Sequence, residues 1–193
     1  MDVLGFSGHS YIDFDSSWCM SEESTQKYIE EINILKEKYK NQITILCGVE
    51  QDYLSNTPVD KYDYVIGSVH VIHKNGKYIS VDYTADSLIK NIDQCYDGDS
   101  LALAEDYFQL VGDLYNKTKC QIIGHFDLVT KFNEKTPIFD TRHPRYVAAV
   151  DNALMKLLAQ DVIFEVNTGA IARNLRSAVY PSKDLLHVLK EQD

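Results

Sequence analysis

Apolar runs and amphipathic stretches alternate along the chain. Val3-Leu4-Gly5-Phe6 reads as a short strand that leads into the loop Ser7-Gly8-His9-Ser10. An Asp- and Ser-rich loop follows. Ser21 then offers an N-cap, with Glu22 and Glu23 in the first turn, where the helix dipole favours them. Tyr28, Ile32, Leu35 and Tyr39 continue at helical spacing. The β-branched run Ile43–Val49 ends on Glu50, and Tyr64–Val69 ends on His70. Lys74-Asn75-Gly76-Lys77 carries an Asn-Gly hairpin signal, so a small excursion is expected after that strand. A helix is predicted over about 100–117, with Leu103, Tyr107, Leu110 and Leu114 on one face. Gln121-Ile122-Ile123-Gly124 leads to His125, a third helix covers 144–159, and Val162–Val166 runs into Asn167-Thr168-Gly169. Pro181 and Ser182 open a last helix. Alternation of this kind predicts an α/β fold with a parallel sheet, either open and doubly wound or closed into a barrel.

Composition narrows the partners. The 29 acidic and 19 basic side chains of the 193 residues leave a net charge of −10. Such a surface repels a nucleic-acid backbone and an anionic bilayer, so neither is an expected partner. A small phosphate remains compatible if metal ions or a local arginine reverse the field. Cys19, Cys47, Cys95 and Cys120 form no CxxC pair and read as reduced thiols. The start MDVLGFSGHS lacks the pattern of a signal peptide, and no apolar run approaches the roughly 20 residues of a membrane span, so a cytoplasmic protein is expected. Nothing in the pattern specifies an oligomeric state.

One regularity locates the chemistry. Four separate strands end on or beside His9, Glu50, His70 and His125. In β/α folds the C-terminal ends of the strands form the functional face, so these side chains are expected to converge. A lone histidine after a strand is commonly structural; four such ends in succession argue for a site. Imidazole and carboxylate together suit Zn, Mn or Fe, whereas Mg and Ca favour oxygen ligands throughout. A bound metal of this kind acidifies its water and polarises a phosphoryl oxygen. The competing serine or cysteine nucleophile lacks support, since there is no GxSxG and no cysteine directly follows a strand beside an activating histidine.

Gly48-Val49-Glu50-Gln51-Asp52-Tyr53, Gly67-Ser68-Val69-His70, Gly124-His125-Phe126-Asp127 and Phe164-Glu165-Val166-Asn167-Thr168-Gly169 occur in this order. Together with Ser7-Gly8-His9-Ser10 and Met20-Ser21-Glu22-Glu23, they resemble the PHP (polymerase and histidinol phosphatase) superfamily, in its histidinol-phosphatase branch, over nearly the whole chain. The resemblance implies a distorted (β/α)7 TIM-like barrel with two or three divalent transition metals at its mouth. Glu50, His70 and His125 match the ligands of one metal, the glutamate bridging to a second, and His9 matches a ligand of the remaining one. The implied reaction is hydrolysis of L-histidinol phosphate to L-histidinol and phosphate, in histidine biosynthesis. A related phosphoesterase acting on another small phosphate, or an inactive metal-binding fragment, is the alternative.

The chain also departs from the family pattern. It shows no initial HxH strand and no final DxH strand, and only five core strands can be counted. Met1 reads as an internal residue of a longer parent, and Glu191-Gln192-Asp193 follow a helix with no strand to return to. The expectation is therefore one domain over 1–193, an incomplete barrel truncated at both ends. Arg173 and Arg176 follow the 167–169 turn, and an arginine there can grip a phosphate through a bidentate contact; by resemblance Arg173 is the better candidate. His73 and His143 read as loop residues, His187 as structural on the last helix, and Asp13 and Asp15 as solvated acids. Asp127 is expected to steady the loop of its neighbour His125 through a hydrogen bond.

Overall fold

Five parallel strands stand side by side in the order in which the chain makes them. In the computed structural model, which describes residues 2–190, they are β1 (Val3–His9), β2 (Thr44–Asp52), β3 (Tyr64–Ser68), β6 (Ile122–Ile123) and β7 (Ile163–Phe164). Between β1 and β2 lies α1 (Glu22–Tyr39). After β3 come the antiparallel hairpin β4 (Val71–Lys74) and β5 (Lys77–Ser80), then α2 (Ala85–Tyr96), α3 (Ser100–Val111) and α4 (Leu114–Thr118). α5 (Pro144–Leu158) separates β6 from β7, and α6 (Gly169–Ala172) and α7 (Lys183–Lys190) close the described chain. The expectations attached to Met1 and to Glu191–Asp193 fall outside the described residues.

Strand order decides between the two architectures left open above. A doubly wound sheet reverses direction at a switch point; this sheet runs β1-β2-β3-β6-β7 without reversal, as a barrel wall does. The wall is incomplete among the described residues, because β1 and β7 each have a neighbour on one side only. At these open edges Val3, Ile163 and Val166 are exposed. No helix among the described residues is long and apolar enough to cross a membrane.

Alternation along the strands sets what each face carries. On β1 and β2 one face presents Gly5, Ser7 and His9 beside Leu46, Gly48 and Glu50, with Asp52 beyond. The opposite face packs Ile45 and Cys47 against Ile32 of α1, while Val49 and Val65 join the main core with Leu103, Tyr107, Phe108, Leu154 and Leu157 from α3 and α5. Two glycines on the inner face make room for one tyrosine. A Cβ on Gly48 would run into the Tyr64 ring, and one on Gly5 would meet the same side chain. The Tyr64 hydroxyl donates to Phe6 O at 3.0 Å. Gly48→Ala is therefore expected to destabilise the fold by about 1–3 kcal/mol through overpacking. Denaturant unfolding measures it; a midpoint unchanged from wild type would contradict the packing.

The structure modifies several predicted elements. β1 runs on to His9 and β2 to Asp52, past the apolar runs that announced them, because the parallel ladder continues to the His9–Glu50 pair. The helix predicted over 100–117 breaks at Gly112 and Asp113 into α3 and α4; a Cβ on Gly112 would meet the Ala153 backbone at 3.0 Å, so α5 crosses here at backbone contact. Within the excursion lies α2, which opens on a capping box between Thr84 and Ser87 and buries Leu88, Ile92 and Tyr96.

Candidate metal centre

The inner face brings four side chains together where β1, β2, β3 and β6 end. Glu50 Oε1 sits 3.0 Å from His125 Nε2 and 3.3 Å from His70 Nε2, and it accepts from Ser68 Oγ at 2.8 Å. Glu50 Oε2 lies 3.5 Å from His9 Nδ1. The imidazoles touch one another as well, with ring centroids 5.1 Å apart for His9 and His70 and 4.8 Å for His70 and His125. Three imidazoles thus surround one carboxylate at the floor of a cleft of about 820 Å³.

The electrostatics fit a cation. Burial alone would favour a neutral Glu50, yet hydrogen bonds from His125 and His70 outweigh it and hold the carboxyl well below its ordinary range. Burial likewise opposes a charge on His70, but the carboxylates of Asp52 and Glu50 push its ring well above the usual imidazole range. Burial holds the His9 ring below it. Carboxylates that stabilise positive charge on an enclosed imidazole also favour a cation at the same place. Ligand atoms of His9, Glu50 and His70 lie within 4.8 Å of one another. The buried Nδ1 atoms of His9 and His125 have no hydrogen-bond partner among the described residues. Of the two, His9 Nδ1 faces Glu50 Oε2 at 3.5 Å, an unpaired ring nitrogen beside a carboxylate of the kind a borderline cation takes, whereas His125 meets Glu50 through Nε2.

Supporting residues orient this cluster. Asp52 Oδ2 lies 3.2 Å from His70 Nδ1 and accepts from the His70 backbone N at 3.0 Å, so ring and backbone are fixed by one carboxylate. Its other oxygen accepts from Leu54 N at 2.8 Å. A carboxylate behind an imidazole fixes the tautomer and presents the opposite nitrogen to the site. Glu165 Oε2 accepts from the His125 backbone N at 3.0 Å, and Asn167 Nδ2 donates to Glu165 Oε1 at 3.1 Å. It is Glu165 that steadies the His125 backbone. The expectation for Asp127 is corrected here: its Oδ2 accepts from Ser182 N at 3.1 Å and ties down the start of α7 instead. Asp52 was legible in principle, since on a strand it shares a face with Glu50 two residues earlier.

The remaining candidates separate cleanly. Arg173 lines the cleft, is exposed, and its guanidinium makes no hydrogen bond or ion pair among the described residues. Arg176 is turned away: its Nη1 donates to Thr130 Oγ1 at 3.1 Å and its guanidinium lies 4.2 Å from the Tyr180 ring centroid. A cation the sequence did not single out, Lys131, also lines the cleft and donates to Asp82 O at 2.8 Å and Oδ2 at 3.0 Å. Nothing in its sequence neighbourhood distinguishes it from a surface lysine. His73 belongs to β4, not to a loop, and stacks on Tyr78 away from the cluster. His143 caps α5, its Nδ1 accepting from Arg145 N at 3.2 Å, and His187 is exposed on α7. The arginine beside it is engaged, since Arg145 binds Glu105 and Asp99. Asp13 is exposed, and so is Asp15, which lies at the cleft mouth.

No family model matches the chain. Curated relatives do. A probable histidinol-phosphatase of Schizosaccharomyces pombe is 31% identical over 176 residues, covering 86% of this chain and 56% of that protein. The histidinol-phosphatase of Bacillus subtilis is 26% identical over 188 residues, covering 90% and 68%. The chain thus spans between about half and two thirds of the length of these relatives. Among solved structures, a putative histidinol phosphatase from Listeria monocytogenes superposes with a TM-score of 0.82 at 20% identity, covering 99% of this chain and 80% of that one. A histidinol phosphate phosphatase from Lactococcus lactis, in complex with Zn, L-histidinol and phosphate, gives a TM-score of 0.62 at 21% identity, with coverages of 87% and 62%. In sequence the chain is similar to these curated histidinol-phosphatases, and its fold is that of the two solved ones.

Proposed function

We propose that this chain carries the catalytic wall of a metal-dependent phosphomonoesterase that hydrolyses L-histidinol phosphate to L-histidinol and phosphate. The observation that carries the reading is the convergence of His9, His70 and His125 on the Glu50 carboxylate at the floor of a cleft. These four residues would hold divalent metal, with Zn, Mn or Fe favoured by the mixed imidazole and carboxylate donors and two or three ions in the complete site. Bound there, the metal supplies an acidified water and a Lewis acid for the phosphoryl oxygens. Zn and the two reaction products in the Lactococcus lactis relative agree with this assignment.

The chain's own residues do the rest. Asp52 and Glu165 hold His70 and His125 in place, so the floor is organised before substrate arrives. Arg173 and Lys131 on the cleft wall bind the phosphate oxygens, Arg173 with a fork free to make a bidentate contact and Lys131 as a point charge tethered by Asp82. The four free thiols suit a cytoplasmic setting. Residues 1–193 act as one domain in this reading.

Two measurements test the proposal. Phosphate release from a panel of small monoesters is expected to favour L-histidinol phosphate by roughly tenfold or more in kcat/KM, as a site built around a polar leaving group does. Equal rates across the panel would instead indicate a broader phosphoesterase, and metal uptake near one equivalent without turnover would indicate a binding remnant. Arg173→Ala is expected to lower kcat/KM by about 10- to 150-fold, the loss of one charge-assisted hydrogen bond of ~1.5–3 kcal/mol. Unchanged kinetics would remove Arg173 from the phosphate site.

A further inference from the structure

The segment that crosses the cleft between β1 and α1 is fixed at both ends by hydrogen bonds and held in the middle by aromatic contacts. At its root Ser10 N donates to Glu50 O at 2.9 Å, Tyr11 O accepts from Ser55 Oγ at 2.7 Å, and Ile12 is buried. At its far end Met20 N donates to His9 O at 3.1 Å, just before α1. In between, residues 13–18 make no hydrogen bond or ion pair beyond residues 10–20, among the described residues; Asp15 bonds within the segment, to Ser17 and Cys19 among others. The tie across the mouth is aromatic. Phe14 stacks on Tyr78 of the β4–β5 hairpin, 3.8 Å between centroids and 5° from parallel, and Tyr78 stacks in turn on His73 at 4.7 Å. Four residues further on, Trp18 sets its edge against His9 at 5.2 Å and lies 5.3 Å from His70.

We propose that residues 13–18 form a strap over the cleft, latched by the Phe14–Tyr78 stack, and that cation and substrate reach the histidines when the latch releases. Asp13, Asp15, Ser16 and Ser17 are exposed with the strap closed, so opening desolvates nothing polar and breaks no backbone hydrogen bond. What opening breaks is the stack and the Trp18 contacts with the floor. A stacked aromatic pair shifts such an equilibrium by about 2- to 12-fold, enough to favour closure without locking it. The same stack gives the exposed hairpin side chains a role: Tyr78, half exposed at the rim, is the landing point for a residue 64 positions earlier in the chain. What passes under the strap rests on the phosphatase reading; the latch itself does not.

Trp18 is the single tryptophan of the chain, so its fluorescence reports the strap directly. Acrylamide quenching of the full chain is compared for wild type, Phe14→Ala, Tyr78→Ala and the double variant. Each single change is expected to raise the open population by about 2- to 12-fold and to steepen quenching, and the double variant to add little, because both remove one contact. Tyr83→Ala, at an exposed rim residue outside the stack, is expected to leave quenching unchanged. Phe14→Leu keeps an apolar side chain without the stack and serves where the alanine variant melts early. Wild-type quenching in the folded single variants, or fully additive effects in the double, would overturn the latch. With zinc bound, EDTA-triggered release followed through Trp18 is expected to quicken by the same factor in Phe14→Ala. A protein that takes up no zinc would count against the metal reading, while the quenching series still decides the latch.

Discussion

Glu50→Gln is expected to abolish metal retention and, with it, phosphate-ester hydrolysis. Glutamine matches glutamate in size, so the inner face stays filled and the β2 ladder is untouched. What changes is the charge that three imidazoles and Ser68 approach. An amide keeps one acceptor oxygen but replaces the one that faces His9 with an NH2, which donates and offers a metal no lone pair. It also removes the negative potential that offsets the cost of bringing a divalent ion into a buried pocket. Loss of a residue that merely supports a ligand costs 10- to 100-fold in metal affinity, so loss of the central carboxylate is expected to cost at least about 100-fold. Zinc titration measures the affinity and phosphate release the activity, with far-UV circular dichroism to show that the fold persists. Wild-type zinc affinity in this variant would remove Glu50 from the site.

Zinc is also expected to raise the melting temperature, and EDTA to reverse the rise. His9, Glu50 and His70 hold ligand atoms within 4.8 Å of one another and His125 Nε2 lies 3.0 Å from Glu50 Oε1, so only the folded chain presents these four donors together. A ligand that binds the folded state alone stabilises it by RT ln(1 + [L]/Kd), about 2.7 kcal/mol at a hundredfold excess over Kd. For a chain of 193 residues, each kcal/mol corresponds to roughly 2–4 °C, so the expected rise is about 5–11 °C. Glu50→Gln should show almost none of it, whereas Tyr83→Ala at the rim should show all of it. A melting temperature indifferent to zinc in the wild-type chain would contradict a preassembled site.

Much of this arrangement was legible because strands and ligands share one grammar. His9, Glu50, His70 and His125 each follow an apolar run, and the sheet places all four ends on one face. The lengths of the strands were not legible. Hydrophobicity marks burial rather than pairing, so Ser7, Gly8 and His9 looked like a loop although their backbone continues the ladder. Asp52 could have been found from the period of two that aligns it with Glu50. The helix α2 could have been found as well, from Thr84 and Ser87 at capping-box spacing and the run Leu88, Ile92, Tyr96; it was absorbed into the excursion after the hairpin. Trp18 and Lys131 carried no local signal. Their roles exist only once the loop after β1 and the turn after His125 fold over the same cleft. The sheet's two edge strands among the described residues are β1 and β7.

In the proposed reading the four strand-end residues form a divalent-metal site serving phosphate-ester hydrolysis. Metal content by elemental analysis and phosphate release from L-histidinol phosphate, measured on one purified sample before and after chelation, test it most directly. At least one equivalent of transition metal per chain is expected, with phosphate release that stops with the chelator and returns with added metal. A sample that retains no metal, or one whose phosphate release ignores the chelator, would contradict the metal site; bound metal with no release would contradict the hydrolysis assigned to it.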